Sequence, residues 1–144
     1  MSLRILFITP RIPFPLKDGG SIAMNQSLEG FMGQGCEVSL LALNTSRHWV
    51  DENTLPEFYK KLQLFENVFV KTDVNPLYAF FNLFTDKSYN VARFINKQVE
   101  QSLIKILQKK EFDIIIFESI YTSPYLQVVR KFTQAKCICR VHNI

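Results

Sequence analysis

His142 carries the side chain of this chain best suited to taking or giving a proton near neutral pH. It follows the run Cys137–Val141 (CICRV), so it lies at the carboxyl end of a strand. There it suits a general base or a hydrogen-bond partner for a sugar hydroxyl, with a structural histidine as the plain alternative. Asn143 comes next and belongs to the same strand end. Glu118 and Ser119 stand just past an earlier apolar run, Phe112–Phe117 (FDIIIF). Glu118 suits binding a hydroxyl or orienting a partner; a solvated loop carboxylate is the alternative. Ser119 has no G-x-S-x-G around it, which excludes the hydrolase elbow. Gly19, Gly20 and Ser21 follow a loop with three prolines, and Ser21 sits where a helix N-cap belongs. The glycines let a phosphate or substrate approach the backbone, or permit positive φ; a plain turn is the alternative. The loop is neither G-x-G-x-x-G nor G-x-x-x-x-G-K-[ST], and Asn44 stands where a ribose-holding acid would be. His48 reads as an exposed residue of a polar loop.

Metal and disulfide chemistry are weakly represented. Three cysteines without regular spacing do not make a disulfide framework. Cys137 and Cys139 point to one face of a strand, but a single C-x-C without further ligands reads as buried structural thiols. No residue is assigned to a metal.

The elements that must position these residues follow from periodicity. Strands are expected at Arg4–Thr9, Glu37–Leu43, Asn67–Lys71, Phe112–Phe117 and Cys137–Val141. Helices are expected at Ser21–Gln34, with Gly35 closing it, and briefly at Leu55–Leu62. The longest helix is expected at Asn90–Lys110, with a stripe including Val91, Phe94, Val99, Leu103 and Leu107. Another is expected at Ser123–Thr133, with Pro124 at its first position. Alternating strands and helices predict an α/β fold, a Rossmann-like three-layer α/β/α domain with a parallel sheet of about five strands. Ligands of such sheets bind beyond the carboxyl ends of the strands, where strand order reverses. That rule selects the Pro10–Gly20 loop, Asn44–Arg47, Glu118–Tyr121 and His142-Asn143.

Composition sets the outer bounds. The 144 residues allow one domain, and 47% apolar with 21% charged residues is ordinary for a globular protein. A net charge of +4 reads as a solvated surface, or more weakly as attraction to a nucleotide or lipid headgroups. No RNP motif, zinc finger or basic–aromatic stripe favours nucleic acid. No signal peptide or membrane span is expected, which makes the cytoplasm the default compartment. The segment Leu77–Phe84 (LYAFFNLF) after Pro76 reads as core packing. Its second reading is a surface for a lipid-linked substrate or peripheral membrane contact, with Lys87, Arg93 and Lys97 beside it.

Three stretches together resemble a known family: ILFITPRIPFPLKDGGS, then LEGFMGQGCEVSLLAL with Cys36 where the family usually has histidine, then the terminal RVHNI. In that order they resemble the N-terminal domain of GT-B-fold glycosyltransferases of the group-1/family-4 type, over the whole chain. The resemblance implies transfer of a sugar from a nucleotide-sugar to a saccharide or lipid-linked acceptor, in a cleft between two Rossmann-like domains. Residues 1–144 would be the acceptor-side domain. The donor-binding domain, with its paired glutamates, is absent, and the stop just after a strand reads as a cut through a larger protein. The piece alone is therefore expected to be catalytically silent. The resemblance puts Gly19 and Gly20 near donor phosphates or the reacting sugar, and His142 at the reaction centre. It implies no cofactor beyond the nucleotide-sugar co-substrate, no metal, and retention of configuration. Two readings from other classes remain: a stand-alone nucleotide- or ligand-binding α/β module, and a non-catalytic interaction domain using Phe80–Phe84.

Overall fold

The computed structural model describes residues 1–85 and 88–142. Asn143 and Lys87, named above, lie outside the described residues. Five strands, β1 (Arg4–Thr9), β2 (Glu37–Thr45), β3 (Leu64–Val70), β4 (Ile114–Glu118) and β5 (Lys136–Arg140), form one sheet in the order β3-β2-β1-β4-β5. All neighbours are parallel. The helices are α1 (Gly19–Gly33), α2 (Pro76–Asn82), α3 (Tyr89–Ala92), α4 (Lys97–Lys109) and α5 (Leu126–Phe132). The Rossmann-like three-layer arrangement is the one expected. Its order reverses between β1 and β4, which fixes where a ligand crevice opens.

The apolar runs form strands because both of their faces are covered. Ile5 and Phe7 of β1 point into a core with Leu28 of α1, Val38 and Leu40. Leu6 and Ile8 point the other way, into a core with Val99, Leu103 and Ile106 of α4 and Val129 of α5. Ile12 is buried in the first core and Phe14 packs against it, so the proline-bearing loop after β1 is anchored at its middle.

Several boundaries differ from expectation, each for a local reason. Helix α1 starts at Gly19 because Asp18, not Ser21, is the N-cap. Its carboxylate accepts from the Ser21 amide at 2.9 Å, and the Asp18 amide donates to Ser21 Oγ at 3.3 Å, a capping box. Gly35 then stands just past the helix at φ +83°, as expected of a closing glycine. The long helix expected at Asn90–Lys110 is two helices. Asn96 turns extended (φ −142°) and caps α4 through the amides of Gln98 and Val99. The Tyr125 hydroxyl bridges the break: it donates to the Phe94 carbonyl at 2.6 Å and accepts from the Asn96 amide at 2.9 Å. Burial pushes that phenol up to about 12, so it stays protonated and able to donate. Pro124 lies inside a 3-10 turn, Ile120–Tyr125, rather than opening a helix. The short helix expected at Leu55–Leu62 is likewise a 3-10 turn, Glu57–Lys61.

Two burial expectations are corrected. Cys36, just before β2, is half-buried; Cys137 is half-buried and Cys139 exposed because β5 is an edge strand with a thin covering. Leu77, Tyr78, Phe80, Phe81, Leu83 and Phe84 are 57–79% exposed, so the aromatic segment is surface and not core.

Candidate functional site

Each strand of the sheet delivers a residue to the carboxyl-end crevice by ending there. Glu118 is the last residue of β4, not a loop residue, and is 0% exposed. Its Oε2 pairs with Arg140 Nε at 3.3 Å and with His142 Nε2 in a close contact. Its Oε1 is buried and has no partner among the described residues. Thr9 ends β1 one step beyond Ile8, which is in register with Phe117. Its buried Oγ1 is also without a partner. Two orphaned oxygens thus lie on neighbouring strand ends at the switch point.

Arg140 ties this cluster to α1, donating to the Ala23 carbonyl at 3.0 Å and to Ser27 Oγ. The histidine is oriented by the carboxylate. A carboxylate only accepts, so Nε2 is the ring nitrogen that donates to it and Nδ1 is the one turned away from Glu118. Sequence reasoning found both residues; the structure brings them together.

Ser119 follows Glu118 with φ 75° and ψ 152°, the one positive-φ residue other than glycine among the described residues. That conformation is nearly confined to glycine and costs ~1–3 kcal/mol. It is held by the Ser119 amide, which donates to the Arg140 carbonyl at 2.7 Å, and by Ser119 Oγ, which accepts from the Tyr121 amide at 3.4 Å. The strain turns the chain sharply, placing Ser119 and Tyr121 on the crevice wall.

A cavity of about 250 Å³ opens here. Its wall includes Arg11 after β1, Arg47 and His48 after β2, Arg93 and Phe94 at the helix break, and His142 after β5. A second space of about 520 Å³ shares Arg11, Gly20, His48 and His142 and extends over Gly19 and Ala23. Phe94 stacks on Tyr121, with ring centroids 4.6 Å apart and planes 21° apart. The helix break is what turns Phe94 and Arg93 toward the strand ends.

The α1 end is already partly satisfied. Arg11 forms a close ion pair with Asp18. The guanidinium, and then the Ser21 amide, hold the Asp18 carboxyl well below the usual carboxylate range. Ser21 is 1% exposed and both its amide and hydroxyl are bonded to Asp18, so it is not the N-cap and its hydroxyl faces the cap. Gly19 and Gly20 do not take positive φ. A Cβ on Gly20 would stand 3.1 Å from Arg11 Nη2 and 3.3 Å from Asp18 Oδ1, whereas one on Gly19 meets nothing within 4 Å. Gly20 therefore makes room for the Arg11–Asp18 pair at the cavity edge.

Sequence reasoning selected the loop that holds Arg11 without naming it, read His48 as exposed, and placed Arg93 beside the aromatic segment rather than at the strand ends. His48 is not merely exposed: its Nδ1 lies 3.2 Å from Arg11 Nη1. Burial, then Arg11 and Arg47, lower its pKa below the usual histidine value, so the ring favours neutrality. The available signal was position, since Arg11 and His48 follow β1 and β2 within a few residues. Among the described residues no three histidine, cysteine or acidic groups come together in a way that could hold a metal ion. No helix among them is long and apolar enough to cross a membrane.

No protein-family model matches the chain, and no curated protein sequence matches it. Solved structures do. The C-terminal domain (residues 78–226) of the PF1911 hydrogenase from Pyrococcus furiosus is similar with a TM-score of 0.60 at 13% identity, over 96% of this chain and 91% of that one. Phytolacca americana UGT2 complexed with UDP-2fluoro-glucose and pterostilbene is similar with a TM-score of 0.56 at 14% identity, over 98% of this chain and 31% of that one. The apo form of UGT2 gives the same score and identity, with 30% of its chain covered. At these identities the likeness shows the fold alone: a Rossmann-like domain shared with a hydrogenase domain and with one part of a glycosyltransferase.

Proposed function

We propose that this domain forms the acceptor-side wall of a cleft in which a sugar passes from a nucleotide-sugar to a saccharide or lipid-linked acceptor. The observation that carries the reading is His142 held on the buried Glu118 at the switch point, facing a cavity walled by arginines. His142 Nδ1 would accept a hydrogen bond from a sugar or acceptor hydroxyl. Arg11, His48 and the α1 end behind Gly19 and Gly20 would offset charge on the leaving diphosphate without a metal. The fold likeness to UGT2, of which the chain spans about a third, supports this reading, with a further domain supplying the donor side. The protein would work in the cytoplasm, with α2 touching a membrane surface.

The test is turnover of a nucleotide-sugar panel by the polypeptide of the full reading frame. His142→Ala should lower turnover at least ~100-fold, and Glu118→Gln should lower it with a changed pH profile. The 144-residue chain alone should turn over none; robust turnover by it would contradict the proposal. One observation favours a second reading, a ligand-binding α/β module: the hydrogenase domain is matched over nearly its whole length. Tight nucleotide binding by the 144-residue chain alone would favour that module.

A further inference from the structure

The strand-end cavity has a neighbour of different chemistry. A groove of about 530 Å³ runs between α2 and α3, lined mainly by apolar surface that includes Tyr78, Phe81 and Ala92. Arg93 lines both spaces. It stands directly after α3, its Nη1 donates to the Thr72 carbonyl at 2.9 Å, and its guanidinium lies 5.7 Å from the centre of the Tyr89 ring. Its Nε–H is buried and has no partner among the described residues.

The charges on the polar side are unbalanced. Arg11 is matched by Asp18, but Arg47 makes no hydrogen bond or ion pair with any described residue, and Arg93 bonds only to the Thr72 carbonyl and the Asn90 amide oxygen. No carboxylate lines the strand-end cavity among the described residues. Asp73, at the groove, accepts from Ser46 Oγ at 2.9 Å. Two guanidiniums without a carboxylate match one phosphate group, which carries about −1.5 to −2 charges at neutral pH. On the other side of Arg93, Tyr78 and Phe81 are 71% and 66% exposed and offer apolar surface.

We infer that the site takes a lipid phosphate, with the phosphate on Arg47 and Arg93 in the strand-end cavity and the apolar chain along Tyr78 and Phe81 in the groove. This rests on the sugar-transfer reading in that it gives the class of acceptor. A polar sugar phosphate would use the cavity and leave the groove empty. A neutral lipid would use the groove and leave the two guanidiniums unmatched. Arg93, shared by both walls, requires neither half to be empty.

The experiment is calorimetric titration of the 144-residue chain with dodecyl phosphate, inorganic phosphate and dodecyl maltoside, each below its micelle concentration. Dodecyl phosphate should bind at least tenfold more tightly than either of the others. Arg47→Gln, at an exposed side chain without partners, should weaken both phosphates at least fivefold. Phe81→Ser should weaken dodecyl phosphate while leaving inorganic phosphate unchanged. Equal binding of dodecyl and inorganic phosphate, or equal binding of dodecyl phosphate and the maltoside, overturns the inference. So does a dodecyl phosphate affinity that ignores both substitutions. None of these outcomes touches nucleotide-sugar turnover by the full polypeptide, so the two readings fail separately.

Discussion

The two ends of the sheet hold similar side chains and treat them differently. At the amino end, Arg4 reaches Asp113 through Nε at 3.2 Å and Nη2 at 3.1 Å and Glu111 through Nη1 at 3.3 Å, while its amide donates to Asp113 at 2.8 Å. Arg130 donates to the Ala135 carbonyl at 2.8 Å. The space there, about 630 Å³, is larger than the one at the carboxyl end. Yet its two carboxylates, Glu111 and Asp113, are both answered by Arg4. At the carboxyl end, Glu118 is sealed from water with one oxygen unpartnered, Ser119 is strained, and Arg47 is free. Of the four orphaned buried polar atoms among the described residues, three belong to that end: Thr9, Arg93 and Glu118. Volume favours the amino end. Unsatisfied buried chemistry, which clusters at functional sites, favours the carboxyl end.

The largest expected effect breaks this contrast by mutation. Arg140→Met leaves Glu118 buried with His142 as its one remaining partner and should destabilise the fold by about 3 kcal/mol. Arg4→Met, whose acidic partners are hydrated, should move the urea midpoint far less. Equal shifts would mean that the two ends are energetically alike. The next effect has the opposite sign. Ser119→Gly should stabilise by about 1 kcal/mol, because relief of strain outweighs a lost turn contact and added chain entropy. Ser119→Ala keeps the strain, loses the contact and should destabilise. Thermal melts of the pair decide the matter.

Acid treats both ends alike in direction. Asp18 beside Arg11 and Asp113 beside Arg4 both titrate below the usual carboxylate range. A depressed folded pKa stabilises fully above the unfolded value, ~3.9, and this is lost as pH falls through the folded one. Arg11→Gln should therefore flatten the loss of stability below about pH 4 at the carboxyl end only. Both carboxylates are substantially exposed, so the effect is small. Smallest of all is a shift at His48. Burial and two arginines hold its titration below ~6.5, the ordinary value. A bound anion offsets those arginines, so saturating phosphate should move the His48 titration upward in proton NMR, and a downward move would contradict an anion site.

Much of this arrangement is legible from residue order. LRILFIT, EVSLLAL and FDIIIF become central strands because strands covered on both faces read as apolar runs. Glu118 and His142 are found by a rule about strand ends, which needs no contact information. What is hidden depends on distant partners. The stripe from Val91 to Leu107 keeps helical spacing through the break at Asn96, and the hydroxyl that bridges the break belongs to Tyr125. Asp18 and Ser21 are both good caps, and the box they form is what decides between them. Arg11 and His48 are plain loop residues until two strand ends bring them within 3.2 Å. The aromatic run reads as core by composition and is surface by placement, since α2 presents its side chains to solvent.

The central claim is that the carboxyl end of the sheet, and not the larger amino-end space, is the ligand site. Amide-shift mapping of the 144-residue chain during titration with inorganic phosphate tests it most directly. The predicted result is saturating shifts confined to the loops after β1 and β2, to the Arg93 break, and to Ser119–Tyr121. Shifts centred on Arg4, Arg130 and Thr133, or no saturating shift anywhere, would contradict it.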